Sequence, residues 1–208
     1  MDIAGAKRVL TAIREQMDAQ RDFLIELDSA MGDGDLGLTM KKAFATADDQ
    51  LKESPETDIG KFFSQAGMAM AKAAPSTMGT LMGTGFMRGG KAVKDKTVLD
   101  GADIAAFFRA FADGLMERGK SKPGDKTIID VFDPVATALE QAVADGADFP
   151  TLVSTMRDTR DQALEAVKGM VSQHGKAAIY REQTQGKPDP GATAGGFVIE
   201  GFAVVLEE

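Results

Sequence analysis

Apolar residues recur at helical spacing along almost the whole chain. Val9, Leu10, Ile13 and Met17 form a stripe within residues 3–20, with Arg and Glu between them. Phe23, Leu24, Leu27 and Met31 make a second pattern, so Asp28 should hang from the last turn of that helix. Residues 40–51 place Ala43, Phe44, Ala47 and Leu51 on one face before Ser54-Pro55-Glu56 breaks the run. Asp58 opens another stripe, Phe62, Phe63, Ala66, Met70 and Ala73, which Pro75 ends. Ile104, Phe107, Phe108, Phe111, Leu115 and Met116 define a helix over 100–119, with Gly119 as its natural stop. Asp125 or Thr127 suits the cap of the next helix, in which Pro134 is a potential kink. Phe149-Pro150 begins a helix carrying Leu152, Met156, Ala163, Leu164 and Val167, closing near Lys168-Gly169. A last apolar helix holds Phe197, Val198, Phe202, Val205 and Leu206. Before it, prolines on both sides of Asp189 and the following Gly191 predict a loop. Sustained period-two alternation and hairpin signals are absent. The pattern predicts an all-α fold of about eight antiparallel helices, with residues 1–208 forming one domain.

Two stretches break this regularity. Asp28, Asp33 and Asp35 place three carboxylates within eight residues, with Gly32, Gly34 and Gly37 around two of them. Carboxylate oxygens are the hard ligands that Mg²⁺ and Ca²⁺ require. Residues two apart in an extended segment point to the same side, and held together the charges repel unless a cation sits among them. One Mg²⁺ would leave the trio net negative; two would leave it net positive and ready for phosphates. The competing reading is a solvated turn, since Asp and Gly are ordinary turn residues. An EF-hand is excluded: with Asp33 as first ligand, the required glycine is Leu38 and the closing Glu is Phe44. The second stretch, residues 76–86, is rich in small residues, with Gly79 and Gly83 four apart. It suits either close helix packing or a backbone lying against a ligand, with helix-start amides open to an anion. Gly83-Thr84-Gly85 lacks both the preceding strand and the third glycine of a dinucleotide fingerprint.

Composition narrows the function. A net charge of −8 in 208 residues argues against a nucleic-acid partner. No apolar run approaches a membrane span and no signal-peptide pattern opens the chain, so no membrane role and a cytoplasmic setting are expected. Without cysteine there is no disulfide, thiol nucleophile or thiolate metal site. The single histidine, His174, lies near a predicted helix end, where a capping or surface role is expected.

Four patches stand in order: DSAMGDGDLGLTM at 28–40, STMGTLMGT at 76–84, RGKSKPGDKTIIDVFDP at 118–134 and GKAAIYREQTQGKPDPGATAGG at 175–196. Together they resemble the nucleotide-binding L subunit of the dihydroxyacetone kinase family, the DhaL or Dak2 type, over essentially the whole chain.

The resemblance implies a closed, barrel-like bundle of eight antiparallel helices with ADP or ATP bound at one end. It implies that Asp28, Asp33 and Asp35 hold two Mg²⁺ ions bridging the phosphates. The backbone of Leu36, Gly37, Leu38 and Thr39, and of Met78 and Gly79, would follow those phosphates. Gly119 and Ile128 would line the adenine and ribose side, and Lys176 with Asp189, Pro190 and Gly191 would close over the nucleotide. The implied activity is phosphoryl transfer to a small ketose held by a separate K-type subunit. The donor would be free ATP, or bound ADP recharged by a phosphoprotein of the phosphotransferase system. No catalytic residue beyond the metal cluster is implied, and the oligomeric state, a homodimer included, stays open. Leu36 stands where the family usually has histidine, Met78 where it has serine, and Lys176 where arginine is common. These departures surround the ligand, and they keep open a different ketose or tetrose, or a regulatory module with little transfer activity.

Overall fold

A computed structural model describes residues 1–208. It contains α1 (Ile3–Ala19), α2 (Arg21–Ser29), α3 (Leu36–Leu51), α4 (Ile59–Ala73), α5 (Thr77–Ala92), α6 (Gly101–Gly119), α7 (Ile129–Ala144), α8 (Phe149–Lys168) and α9 (Pro190–Leu206). A 3₁₀ segment, Lys176–Thr184, lies between α8 and α9. There is no strand, only one isolated bridge between Asp2 and Val98. No helix is long and apolar enough to cross a membrane.

Apart from the short α2, the helices neighbour one another in a closed circuit: α1, α3, α4, α5, α6, α7, α8, α9 and back to α1. Cross-helix contacts show that neighbours run antiparallel. On α1 and α3, Lys7 reaches the Ser54 carbonyl while Arg14 reaches Asp48 and Lys41 reaches Asp18. On α5 and α6, Gly85 faces Phe111 and Gly89 faces Phe107. All nine helices contribute to one contiguous apolar core, α2 through Leu24 alone.

Phenylalanine dominates the centre. Phe63, Phe86, Phe107 and Phe202, from four helices, meet with ring centroids 4.9–6.3 Å apart. Phe111 stacks on Phe132 at 4.4 Å. Burying each such ring contributes about 1.5–3 kcal/mol. The small-residue stretch proves to be a packing surface along much of its length. A side chain at Gly67 on α4 would meet the Gly83 carbonyl at 2.5 Å, and one at Gly83 would meet the Gly67 carbonyl at 2.7 Å.

Two boundaries differ from the sequence expectations. Helix α3 begins at Leu36, four residues before the expected start at Met40, with Leu36-Gly37-Leu38-Thr39 as its first turn. Helix α9 begins at Pro190, so the Pro-Gly-Ala-Thr run expected as loop is its first turn. Asp189 caps it by accepting from the Ala192 amide at 2.8 Å, and proline at the first helical position loses no hydrogen bond. Helix α7 continues through Pro134 to Ala144.

Candidate functional site

The antiparallel circuit brings the starts of α3, α5, α7 and α9 to one end, where they surround a cavity of about 520 Å³. Leu36, Thr77, Met78, Ile128, Pro190 and Gly191 line it from those four starts. A helix start presents unpaired amides and the positive end of the helix dipole. Here the amides of Thr77, Met78 and Ile128, all on the lining, have no acceptor within the protein. The cavity therefore offers several convergent donors to an anion.

The acidic patch stands on its rim. Asp28 projects from the end of α2, and Asp33 and Asp35 from the turn into α3. One carboxylate oxygen from each lies within 4.8 Å of the others. The local sequence sets this spacing. Gly34 takes φ +71°, a left-handed turn that favours glycine, and the Gly32 amide donates to the Asp28 carbonyl at 2.6 Å. Asp28 Oδ2 also accepts from the Leu36 amide at 3.3 Å, tying the cluster to the start of α3. The Lys176 ammonium pairs with Asp33, a cation of the chain itself set against the cluster. Three half-buried or exposed carboxylates converging like this fit a divalent ion and its retained waters.

Of the sequence-predicted site residues, the structure brings Asp28, Asp33, Asp35, Leu36, Met78, Ile128, Lys176, Asp189, Pro190 and Gly191 to one cavity. Gly37, Leu38, Thr39, Gly79 and Gly119 lie off its lining. Gly37 faces the backbone of α2, and the Leu38 side chain points into solvent. The Thr39 amide is already used by the Asp35 carbonyl, and that of Gly79 by the Ser76 hydroxyl at 3.1 Å. Gly119 packs beside Leu81, which does line the cavity.

Sequence reasoning missed the polar wall behind the cavity. Buried Asp125 accepts from the Lys122 ammonium, the Lys122 amide and His174 Nε2, each at 2.9 Å. These donors, the Lys122 ammonium foremost, hold its carboxyl down at about 2. His174, on the cavity lining, thus pairs with a buried acid behind it, well past the end of α8 at Lys168. Just before α7 the Thr127 hydroxyl accepts from the Ile129 amide, although the cap position itself is Ile128 without a side-chain bond, while Asp130 accepts from the Gly124 and Thr127 amides. Asp189 is pushed up to about 6 by burial, which the Ala192 amide and the Lys126 charge only partly offset. Only the local GDKT pattern hinted at this wall; its partners lie up to 61 residues away.

Comparison with known proteins assigns this architecture to a family. The DAK2 domain model matches residues 30–204. The chain belongs to that family. Among curated relatives, it is 30% identical to the Escherichia coli PEP-dependent dihydroxyacetone kinase ADP-binding subunit DhaL, over 96% of this chain and 95% of the relative. It is 33% identical to the Listeria innocua subunit DhaL of PEP-dependent dihydroxyacetone kinase 1, over 90% of this chain and 88% of that one. Among solved structures, one match is the dihydroxyacetone kinase of C. freundii in complex with AMP-PNP and Mg²⁺, with a TM-score of 0.72 and 21% identity. That likeness is one of fold; it covers 99% of this chain and 34% of the larger kinase chain. This DAK2 chain is therefore a DhaL-type member of a phosphotransferase family.

Proposed function

We propose that residues 1–208 act as one Mg²⁺-dependent, adenine-nucleotide-binding domain, the L-type subunit of a dihydroxyacetone-type kinase. The observation that carries this reading is the convergence of three carboxylates within 4.8 Å on the rim of a cavity walled by helix starts. Asp28, Asp33 and Asp35 would hold two Mg²⁺ ions, whose charge neutralises phosphoryl oxygens during transfer. Of the backbone donors at Leu36, Gly37, Leu38, Thr39, Met78 and Gly79, the unpaired Met78 amide on the cavity lining is offered to the phosphates first; those of Leu36, Thr39 and Gly79 would have to leave Asp28, Asp35 and Ser76. Gly119 and Ile128 attend the adenine and ribose side, and Asp189, Pro190 and Gly191 close the opposite wall. Lys176, released from Asp33, brings a point charge to the phosphate oxygens.

The acceptor is a small ketose held by a separate K-type subunit, because phosphoryl transfer asks this chain only for positioning and charge. Bound ADP recharged by a phosphotransferase-system phosphoprotein is the preferred donor route; the E. coli and Listeria relatives are named ADP-binding subunits of PEP-dependent kinases. Direct use of ATP on another ketose or tetrose is the second reading, favoured by Leu36, Met78 and Lys176 around the ligand. The test is co-purification followed by reconstitution. Nucleotide retained through desalting, with transfer that needs both a K-type partner and a phosphoprotein, is the expected result. Rapid nucleotide exchange with direct ATP use supports the second reading. Tight binding without transfer to any partner leaves a regulatory module.

A further inference from the structure

Lys126 is the most unusual buried group in the molecule. Its side chain is buried and its backbone takes φ +58°, a left-handed conformation that non-glycine residues seldom hold. Its ammonium donates to the carbonyls of Thr184 at 2.6 Å, Lys187 at 2.7 Å, Met170 at 3.2 Å and Lys168 at 3.3 Å. Lys168 is the last residue of α8, where carbonyls lack helical partners and the dipole is negative. Thr184 ends the 3₁₀ segment, and Lys187 lies two residues before the cap of α9.

A charge buried among carbonyls is costly unless every oxygen is usefully placed. No carboxylate forms an ion pair with Lys126, so the cage resembles the all-carbonyl environment of a bound monovalent cation. The same segments are also tied by the Gly186 amide donating to the Lys168 carbonyl at 2.7 Å, the Ser172 amide to the Thr184 hydroxyl at 3.0 Å and the Gln185 side-chain amide to the Gly169 carbonyl at 3.0 Å, but only the ammonium gathers all four oxygens at one point. Both ends of the stretch they cinch reach the candidate site: His174, Gly175, Lys176 and Ala177 at one end, Asp189, Pro190 and Gly191 at the other.

We propose that Lys126 is a positioning residue, an internal monovalent cation whose ammonium fastens residues 168–187 so that Lys176 and the Asp189–Gly191 turn form one wall of the nucleotide site. This rests on the nucleotide-binding reading above. Lys126 touches no reacting atom in this role; it acts through the backbone it gathers. Removing the ammonium leaves a carbonyl cage that a small external cation of similar size can refill.

The test uses the full chain with Lys126→Ala, in buffers of equal ionic strength made with sodium or ammonium chloride. If the gathered wall falls to one-tenth of the population, the apparent ADP dissociation constant with Mg²⁺ rises about tenfold in sodium. Ammonium is expected to recover most of that loss while leaving the parent chain unchanged. Affinity equal to the parent in both salts, or an equal loss in both, overturns the proposal. Should the variant fail to fold, lysine reductive methylation of the native parent gives the answer without it. Lys126 is expected among the last lysines modified, and modification as fast as exposed Lys122 overturns the cage. Failure of the parent to bind ADP at all refutes the nucleotide reading, while the methylation result still judges the cage.

Discussion

Asp189→Asn isolates the cost of the buried acid at the start of α9. The carboxyl is raised from 3.8 to about 6, chiefly by burial. At 1.36 kcal/mol for each pH unit, that gap makes the ionised form cost about 3 kcal/mol in the folded chain. The sign follows from proton counts. Between pH 4 and pH 6 the folded chain holds the proton that the unfolded chain has released, so stability falls as pH rises through this window. Asparagine keeps a side-chain oxygen for the Ala192 amide and is as good a cap as aspartate. The variant should therefore gain about 3 kcal/mol over the parent at pH 8, with the gain shrinking toward zero near pH 4. Urea unfolding followed by circular dichroism at pH 4, 5, 6, 7 and 8 reads both the size and the slope. A loss of stability at pH 8, or a gain that does not change with pH, would refute the burial argument. A stability gain joined to weaker nucleotide affinity would mark Asp189 as an acid kept for its site at a cost to the fold.

Three further outcomes follow from the same structure. Asp33→Ala should abolish Mg²⁺-dependent ADP binding while leaving the helical dichroism unchanged, because Asp33 is exposed on a turn; unchanged affinity in a calorimetric titration would count against the site. Gly83→Ala adds a methyl 2.7 Å from the Gly67 carbonyl, and overpacking of ~1–3 kcal/mol should exceed the ~1 kcal/mol helix-propensity gain, which thermal unfolding will check. Phe111→Ala removes a ring stacked at 4.4 Å on Phe132, and should destabilise by about 3–5 kcal/mol in urea unfolding.

Much of the fold was legible because apolar stripes are local and each long helix buries one. What escaped was non-periodic or long-range. The first turn of α3 reads Leu-Gly-Leu-Thr and that of α9 Pro-Gly-Ala-Thr, and glycine or proline at these starts reads as turn. The 3₁₀ segment is polar and shows no period that would announce it. The acidic cluster was readable because its members fall within eight residues and glycine turns bring them together. The Lys126 cage was not, because its acceptors are backbone carbonyls 42 to 61 residues away, which leave no side-chain signature. Likewise, the Asp125–His174 pair joins residues 49 apart, and neither residue type alone implies the other.

The most direct test is an ADP titration of the full chain with Mg²⁺ and again with the metal chelated, combined with a count of bound metal. The account predicts one nucleotide per chain with two metal ions, and no measurable binding without metal. ADP binding that ignores Mg²⁺, or metal binding that survives conversion of Asp28, Asp33 and Asp35 to asparagine, would contradict it.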